Sequence, residues 1–440
     1  MIKIEKIDIA TSMTQGHSLP FVKFTLAIET VERVEELQKL ILDVVDPFKK
    51  PFGLAGDAKS DIRRLYWHLA DAIGYPLLGH GVDVDDGVLV EYWPSHANEA
   101  VSTFCLVVDF LNNKITEEQF LDGVNSLRGP ILDVLETYCY VRAATEHGYT
   151  VVPISRRLIR VSKEDRACYF DGNMNSDVSI ITQRLCQSKP AYLSLLSTMG
   201  VPVPKDKRVN NLEEALKAAN ELGYPVVLKP EFGSNGYGVY PNIQNDAELS
   251  ELVNKAGDTK LFVEKHVGGT DFRTNIVNGK VMGVLNREAA KVVGDGIHTI
   301  KELVDIANQD PVRYTRKWSM HPIKIDEETI RILKKHKVKL NSKPKKGQVV
   351  LLREVNNLSS GGYAKRYLGA IHPDNIALLE KIAKALCVRY VGIDVLAEDF
   401  SRSWKEGNFH VTDVNIGHSM SKYHLLELYP MVINQLLDNK

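Results

Sequence analysis

Two groups of residues carry types and spacings that chemistry can use. The first is Tyr224–Val239, YPVVLKPEFGSNGYGV, where an apolar β-branched run ends in Lys229 and passes into a loop holding Gly233, Ser234, Gly236 and Gly238. A lysine that closes a strand sets a fixed cation beside backbone N–H groups that glycine allows to come close, which is what a polyphosphate needs. No GK[ST] follows, and Pro241-Asn242 comes next, so the pattern is not a Walker loop and predicts strand, loop, strand. A glycine-rich hairpin with an incidental lysine has the same local pattern. The second group is Asp394, Asp413 and Asn415. Asp413 and Asn415 are two apart, so in a strand they project from one face, and Asp394 closes another apolar run. Hard oxygen donors at strand ends suit Mg²⁺, which takes one or two carboxylates and fills its shell with phosphates and water. The five cysteines are scattered and form no CxxC pair, which argues against zinc and against a disulfide framework. Unpaired thiols fit a reducing cytosol.

Between these groups lies LFVEKHVGGTDFR, Leu261–Arg273. A strand ending at Glu264 and a bend at Gly268-Gly269 predict the lining of an adenine pocket. Glu264 would accept from the adenine amino group, the backbone of the next residues would read the ring edge, and Asp271 would face the ribose hydroxyls. A surface Glu–Lys pair at a strand end is the plainer alternative.

The elements that must position these residues are legible from Ser188 onward. Ser188 is placed to cap a helix running to Met199, broken by Val201-Pro-Val-Pro204. Asn211 with Glu214 caps a second helix that stops at Gly223. A helix near Asp246–Lys255 and a strand at Lys260–Glu264 follow. Lys334–Lys346 carries seven lysines and His336, which reads as a solvated face or as a contact for an anionic substrate. The apolar run Gln348–Leu352 comes next, then HPDN opening a helix to Ala385, then strands at Tyr390–Asp394 and His410–Asn415. Before Gly148 the chain mixes strands and helices, with an amphipathic helix through Val31, Val34, Leu37, Leu40, Ile41 and Val44. Thr116 and Gln119 make a capping box, and Tyr149–Val161 is extended around Pro153.

A chain of 440 residues has room for two or three domains and a large core. Its 44% hydrophobic and 25% charged residues are ordinary for a soluble globular protein. A net charge of −1 gives no global attraction to nucleic acid or anionic lipid. Met1 leads straight into the strand-like IKIEKIDIA rather than a secretory leader, and no apolar stretch is long enough to cross a bilayer. A cytoplasmic protein acting on small molecules is expected, with self-association left open.

The segment from about Ser188 to His424 resembles the ATP-grasp ligases, specifically the ATP-grasp module of cyanophycin synthetase. The resemblance rests on Ser188-Lys189, on YPVVLKP with GSNGYGV, on VEKHVGGTDFR (Val263–Arg273) and on VNGKV (Val277–Val281). It continues through VVGDGIHTIKEL (Val292–Leu303), GQVVLLREVNNLSSGG (Gly347–Gly362), HPDN, GIDV and DVN. It implies an α+β ATP-grasp fold, two lobes gripping ATP, over 188–440 with a lid near 200–262. A mixed α/β domain over 1–150 and a connecting segment over 151–187 precede it.

Lys189 and Lys229 match the lysines that reach the ATP phosphates, and Gly233–Gly238 matches the lid above them. Glu264, Lys265 and Val267 look like the adenine contacts and Asp271 like the ribose contact. Arg287 and Arg353 match arginines near the γ-phosphate and the acyl group. Asp394, Asp413 and Asn415 look like the set for two Mg²⁺ or Mn²⁺ ions. Ser359, Gly361, Gly362 and His418 fall on the substrate side, where backbone N–H groups would hold a carboxylate.

The implied activity joins an amino acid or small-peptide carboxylate to an amine through an acyl phosphate, yielding ADP and phosphate. A non-catalytic ATP-binding sensor or partner module and a kinase releasing the acyl phosphate are the alternatives. Three positions depart from the pattern. Asp413-Val-Asn415 replaces Glu-x-Asn and is one methylene shorter, His418-Ser419 replaces Pro-Gly, and Asn286 stands where a glutamate often precedes the arginine. The Mur-ligase-like half of cyanophycin synthetase has no counterpart before Lys440, so a single ligation is expected. His298 and His418 read as structural or substrate-shaping residues before proton shuttles.

Overall fold

The computed structural model describes residues 1–10, 20–45, 52–75, 77–78, 82–93, 96–128, 135–231, 238–257, 259–310, 313, 320–417 and 427–437. The chain divides into two units. One comprises Met1–Ser176, Thr315–Trp318 and Leu426–Lys440, the other Asp177–Tyr314 and Ser319–Leu425.

In the first unit, β1 (Ile2–Ile9), β2 (Phe21–Ile28), β3 (Val82–Val84) and β4 (Gly87–Glu91) form an antiparallel sheet in the order β1-β2-β4-β3. Alternation along β2 buries Val22, Phe24 and Leu26, and the helices Ala58–Ile73 and Ala97–Leu111 cover them with Leu65, Leu69, Phe104 and Val107. The predicted capping box is present, with Gln119 N–H donating to the Thr116 hydroxyl and Thr116 N–H to the Gln119 amide oxygen. A second antiparallel sheet follows from β5 (Thr150–Pro153), β6 (Leu158–Lys163), β7 (Arg166–Asp171) and β8 (Met174–Asn175). Residues 151–187, read from sequence as a connector, thus supply this sheet here and the helix Ile180–Gln187 to the other unit.

The second unit contains two larger sheets. β9 (Asp206–Val209), β10 (Val226–Pro230), β11 (Tyr240–Ile243) and β12 (Leu261–Lys265) pair antiparallel in the order β11-β10-β12-β9. The helices Leu212–Leu222 and Asp246–Ala256 cover one face through Ala215, Ala219, Leu249 and Leu252. Asn211 and Asn245 start these helices by accepting from the backbone N–H three residues on, satisfying donors that a helix start leaves unpaired. Strand, loop, strand is the observed arrangement around Lys229, although the loop residues 232–237 lie outside the described set.

β13 (Thr270–Val277), β14 (Lys280–Glu288), β17 (Tyr363–Arg366), β18 (Tyr390–Ala397) and β19 (Phe409–Asn415) make a five-stranded antiparallel sheet in the order β17-β14-β13-β18-β19. One face is apolar. Phe272, Ile393, Val395 and Val411 pack there against Leu193 and Leu196 of the helix Lys189–Thr198 and Leu379 and Ile382 of the helix Pro373–Ala385. With a side-chain period of two, the residues between them must face the other way. β15 (Lys291–Val293) and β16 (Val349–Leu351) form a separate ribbon over the helices Ile300–Asn308 and Glu327–Lys335. No helix among the described residues is long and apolar enough to cross a membrane.

Candidate nucleotide and metal site

The polar face of the five-stranded sheet is written by register. Across β14, β13, β18 and β19 one row reads Arg287, Asp271, Leu396, His410. The adjacent row reads Leu285, Arg273, Asp394, Asp413. Paired residues share a face, so the strands bring two arginines and three carboxylates together with the apolar Leu396 among them. Asp394, 5% exposed, accepts from Arg273 Nε at Oδ1 and from Arg273 Nη2 at 2.9 Å on Oδ2. Arg287 Nη2 lies 2.9 Å from Oδ2 and 2.8 Å from Asp271 Oδ1. Burial works against the Asp394 charge, but Arg273 and Arg287 overcome it and hold the carboxyl at about 2. At Asp271 burial is the larger influence and raises the pKa despite Arg287.

Lys189 ties this face to the lysine of the glycine-loop strand. It opens the helix Lys189–Thr198, and its Nζ donates to Thr412 O at 3.0 Å. Burial opposes its charge, while Asp413, Glu264 and Asp394 together keep its pKa above the ordinary value. Lys229 Nζ sits 2.5 Å from Glu264 Oε1, a carboxylate only 3% exposed on the neighbouring strand. Burial, with Lys189 adding to it, pulls the Lys229 pKa down against the pull of Glu264. The cluster therefore holds two ammonium groups and buried carboxylates within electrostatic reach of one another. A polyphosphate is the kind of ligand that such lysines, partly starved of water, would bind strongly.

The adenine and ribose expectations fall on mixed ground. Lys265 Nζ donates to Gly223 O at 2.7 Å and Tyr224 O at 3.2 Å, and its N–H goes to Lys205 O at 2.8 Å, so this side chain is spent on the fold. Val267 is half-buried in the loop that follows, and its N–H makes no hydrogen bond among the described residues. Glu264 is engaged by Lys229, and Asp271 by Arg287 and by Asn356 Nδ2 at 3.2 Å.

A cavity of about 520 Å³ opens beside Asp271 and Arg287, with His266, Arg353, Glu354 and Asn356 on its wall. Arg353, 4% exposed, has its guanidinium tied to the surrounding fold. It donates to Thr329 Oγ1, to Leu352 O at 2.9 Å, to Asp326 Oδ2 at 2.7 Å and to Lys324 O at 3.3 Å, which fastens the start of the helix Glu327–Lys335. The backbone donors expected at Gly361 and Gly362 are also spent. Gly361 N–H donates to Leu358 O and Gly362 N–H to Asn357 O, both at 3.1 Å, within the short 3₁₀ turn that carries Ser359. Their glycine identity has a packing reason, since a Cβ at Gly362 would lie 2.7 Å from Asn357 O and from Glu288 O. Gly238 is left-handed at φ 71° and lies over Pro230, whereas Gly233, Ser234, Gly236 and His418 lie outside the described residues.

Asp413 is Asp394's partner across β18 and β19, and Asn415 follows two residues on, opposite Gly392. Asp413 Oδ1 accepts from the Tyr192 hydroxyl and from Val414 N–H at 3.1 Å, and Oδ2 takes no hydrogen bond among the described residues. Two carboxylates and an amide oxygen on paired strands fit a hard divalent cation that completes its shell elsewhere. Among the described residues no group of three or more His, Cys, Asp or Glu side chains is placed to hold an ion by itself.

Sequence reasoning missed Arg273, Tyr192, Asn356, Leu396 and His410. Arg273 lies two residues beyond Asp271, so the strand period placed it on the same face. Tyr192 lies three residues beyond Lys189, one helical turn away. His410 had no such signal; its Nδ1 is buried without a partner among the described residues, and burial lowers its pKa against the pull of Glu264.

Comparison with known proteins adds to this geometry. Residues 189–335 match the family described as the carbamoyl-phosphate synthase L chain, ATP binding domain. Cyanophycin synthetase from Synechocystis sp. is 31% identical over 299 residues, 67% of this chain and 34% of that protein. A glutathione biosynthesis bifunctional protein from Clostridium perfringens is 28% identical over 319 residues, 70% of this chain and 40% of that one. The chain thus spans about a third of the length of the curated relatives it matches first. A bifunctional glutathione synthetase from Pasteurella multocida shares the fold with a TM-score of 0.51 at 22% identity, covering 76% of this chain and 49% of that one.

Proposed function

We propose that this chain, an ATP-grasp protein, joins the carboxylate of an amino acid or small peptide to an amine at the expense of ATP. The observation that carries the reading is the single cluster formed by Lys189, Lys229, Glu264, Arg287, Asp394 and Asp413. In this reading Lys189 and Lys229 hold the phosphates. Glu264 and the main chain at Val267 take the adenine edge, and Asp271 the ribose. Arg287, close to both Asp271 and Asp394, faces the γ-phosphate. A substrate carboxylate oxygen attacks the γ-phosphorus, the bond to the β-phosphate bridging oxygen breaks, and ADP leaves. The amine nitrogen then attacks the acyl carbon, phosphate departs, and the amine gives up its proton to form the amide.

Asp394, Asp413 and Asn415 would hold Mg²⁺ or Mn²⁺, one ion or two, which when bound would neutralise charge on the phosphate oxygens. No side-chain nucleophile is required. The protein's work is positioning and charge stabilisation along a phosphoryl transition state that spreads charge over oxygen. Arg353 supports the cavity wall in this reading rather than touching the acyl group. Cyanophycin- and glutathione-forming relatives favour amino-acid or peptide substrates.

Incubation with ATP, Mg²⁺ and paired amino acids, followed by phosphate release and product mass, tests the reading. Amide with ADP is expected. A phosphorylated product without amide would make the chain a kinase, and nucleotide binding without turnover on any pair would make it a sensor.

A further inference from the structure

We propose that Tyr192 is a positioning residue for the metal-binding carboxylate Asp413, compensating for the methylene that an aspartate lacks relative to a glutamate at this position. The inference rests on the metal reading given above. Tyr192 is 2% exposed and anchored by its ring in the core beneath the five-stranded sheet. Its hydroxyl donates to Asp413 Oδ1, which also accepts Val414 N–H at 3.1 Å. A phenol hydroxyl is protonated near neutrality and so can act as the donor here.

Two donors on one oxygen fix the carboxylate's rotation. Oδ2 is then left without a hydrogen bond among the described residues, on the residue that pairs with Asp394 across β18 and β19. Asp394 differs, because both its oxygens are held by Arg273 and Arg287. Asp413 Oδ2 is thus the carboxylate oxygen the face offers a cation most directly. Free rotation of a short aspartate would spread Oδ2 over several positions, and a hydroxyl behind a ligand carboxylate removes that freedom. A glutamate would carry its carboxylate further from the strand and past the Tyr192 hydroxyl. In such a side chain Tyr192 has nothing to fix.

The experiment is a double-mutant cycle on Mn²⁺ binding by the full chain in the presence of ADP, read as the electron paramagnetic resonance signal of free Mn²⁺. Tyr192→Phe keeps the ring packing and removes only the hydroxyl. Its Mn²⁺ dissociation constant is expected to rise by about 10- to 100-fold, the usual cost of losing a group that orients a metal ligand. ADP affinity in EDTA and the thermal midpoint serve as structural controls and are expected to move little. In the Asp413→Glu background the same Tyr192→Phe change is expected to alter Mn²⁺ binding less than about threefold, so the two substitutions do not add. Equal Mn²⁺ affinity in parent and Tyr192→Phe would overturn the role of Tyr192 while leaving the metal site standing. So would an equal loss in the parent and Asp413→Glu backgrounds, which would mark the hydroxyl as general support. A parent that binds no Mn²⁺ with ADP would overturn the metal reading and this inference with it.

Discussion

The lysine–carboxylate cluster and the wall of the cavity around Arg353 are built from the same kinds of residues and behave differently. In the cluster, polar groups are buried in mutual contact yet keep capacity for a ligand. Among the described residues Lys229 pairs with the Glu264 carboxylate, Lys189 donates to the Thr412 carbonyl, and Asp413 has an oxygen without a hydrogen bond. At the wall, Arg353 donates to four acceptors and the amides of Gly361 and Gly362 close a turn. A guanidinium paired so fully costs much to reassign, because its partners would be left unsatisfied. Residues singled out by sequence motifs therefore divide into those that can receive a ligand and those that hold the receiver in place.

The hardest test of this division is Asp394→Asn. Asparagine takes from Arg273 its buried counter-charge and leaves Arg287 with Asp271 alone, and breaking a buried pair costs about 3–5 kcal/mol. Turnover is expected to vanish and the urea midpoint to fall together. A variant of parental stability and activity would separate Asp394 from the cluster.

Lys229→Ala comes next. One lost charge-assisted contact is worth about 1.5–3 kcal/mol, so nucleotide affinity measured calorimetrically is expected to fall tens-fold. Parental affinity in the folded variant would move Lys229 to the supporting class.

Acid should act through Asp394 in a defined direction. Its native carboxyl is held at about 2 while the unfolded one titrates near about 3.9, so its stabilisation is complete above roughly pH 4. That share, about 2–3 kcal/mol, is lost as pH falls from roughly 4 toward 2. Asp271, whose pKa is raised, works in the opposite sense as the carboxyls protonate. Urea unfolding across about pH 2–6 in parent and Asp394→Asn sharpens the point, since the variant should lose this part of the acid slope.

The smallest effect on the nucleotide is expected from the wall. Arg353→Ala should cost stability, about 1–3 kcal/mol for the unsatisfied groups left behind, with ATP affinity changed less than about threefold. A large loss of ATP affinity at parental stability would erase the distinction between the two regions.

Much of this architecture was legible locally. Asn211 and Glu214 marked a helix start, Gly223 its end, and the β-branched run before Lys229 a strand, because caps and side-chain periods are set within a few residues. Asp413 and Asn415 could be placed on one face by counting in twos. Lys189, Lys229 and Asp394 were candidates from residue type and neighbours alone. Pairing across the sheet decided what they became. Asp394 faces Asp413 only because the register shifts between β18 and β19 beside it, and Arg273 reaches Asp394 across 121 residues of chain. The same long-range packing closed the valences of Arg353, Gly361 and Gly362. Residue type and spacing determine which groups a chain can bring to a site. Which of their hydrogen bonds remain unspent depends on partners distant in sequence, and only the tertiary structure supplies those.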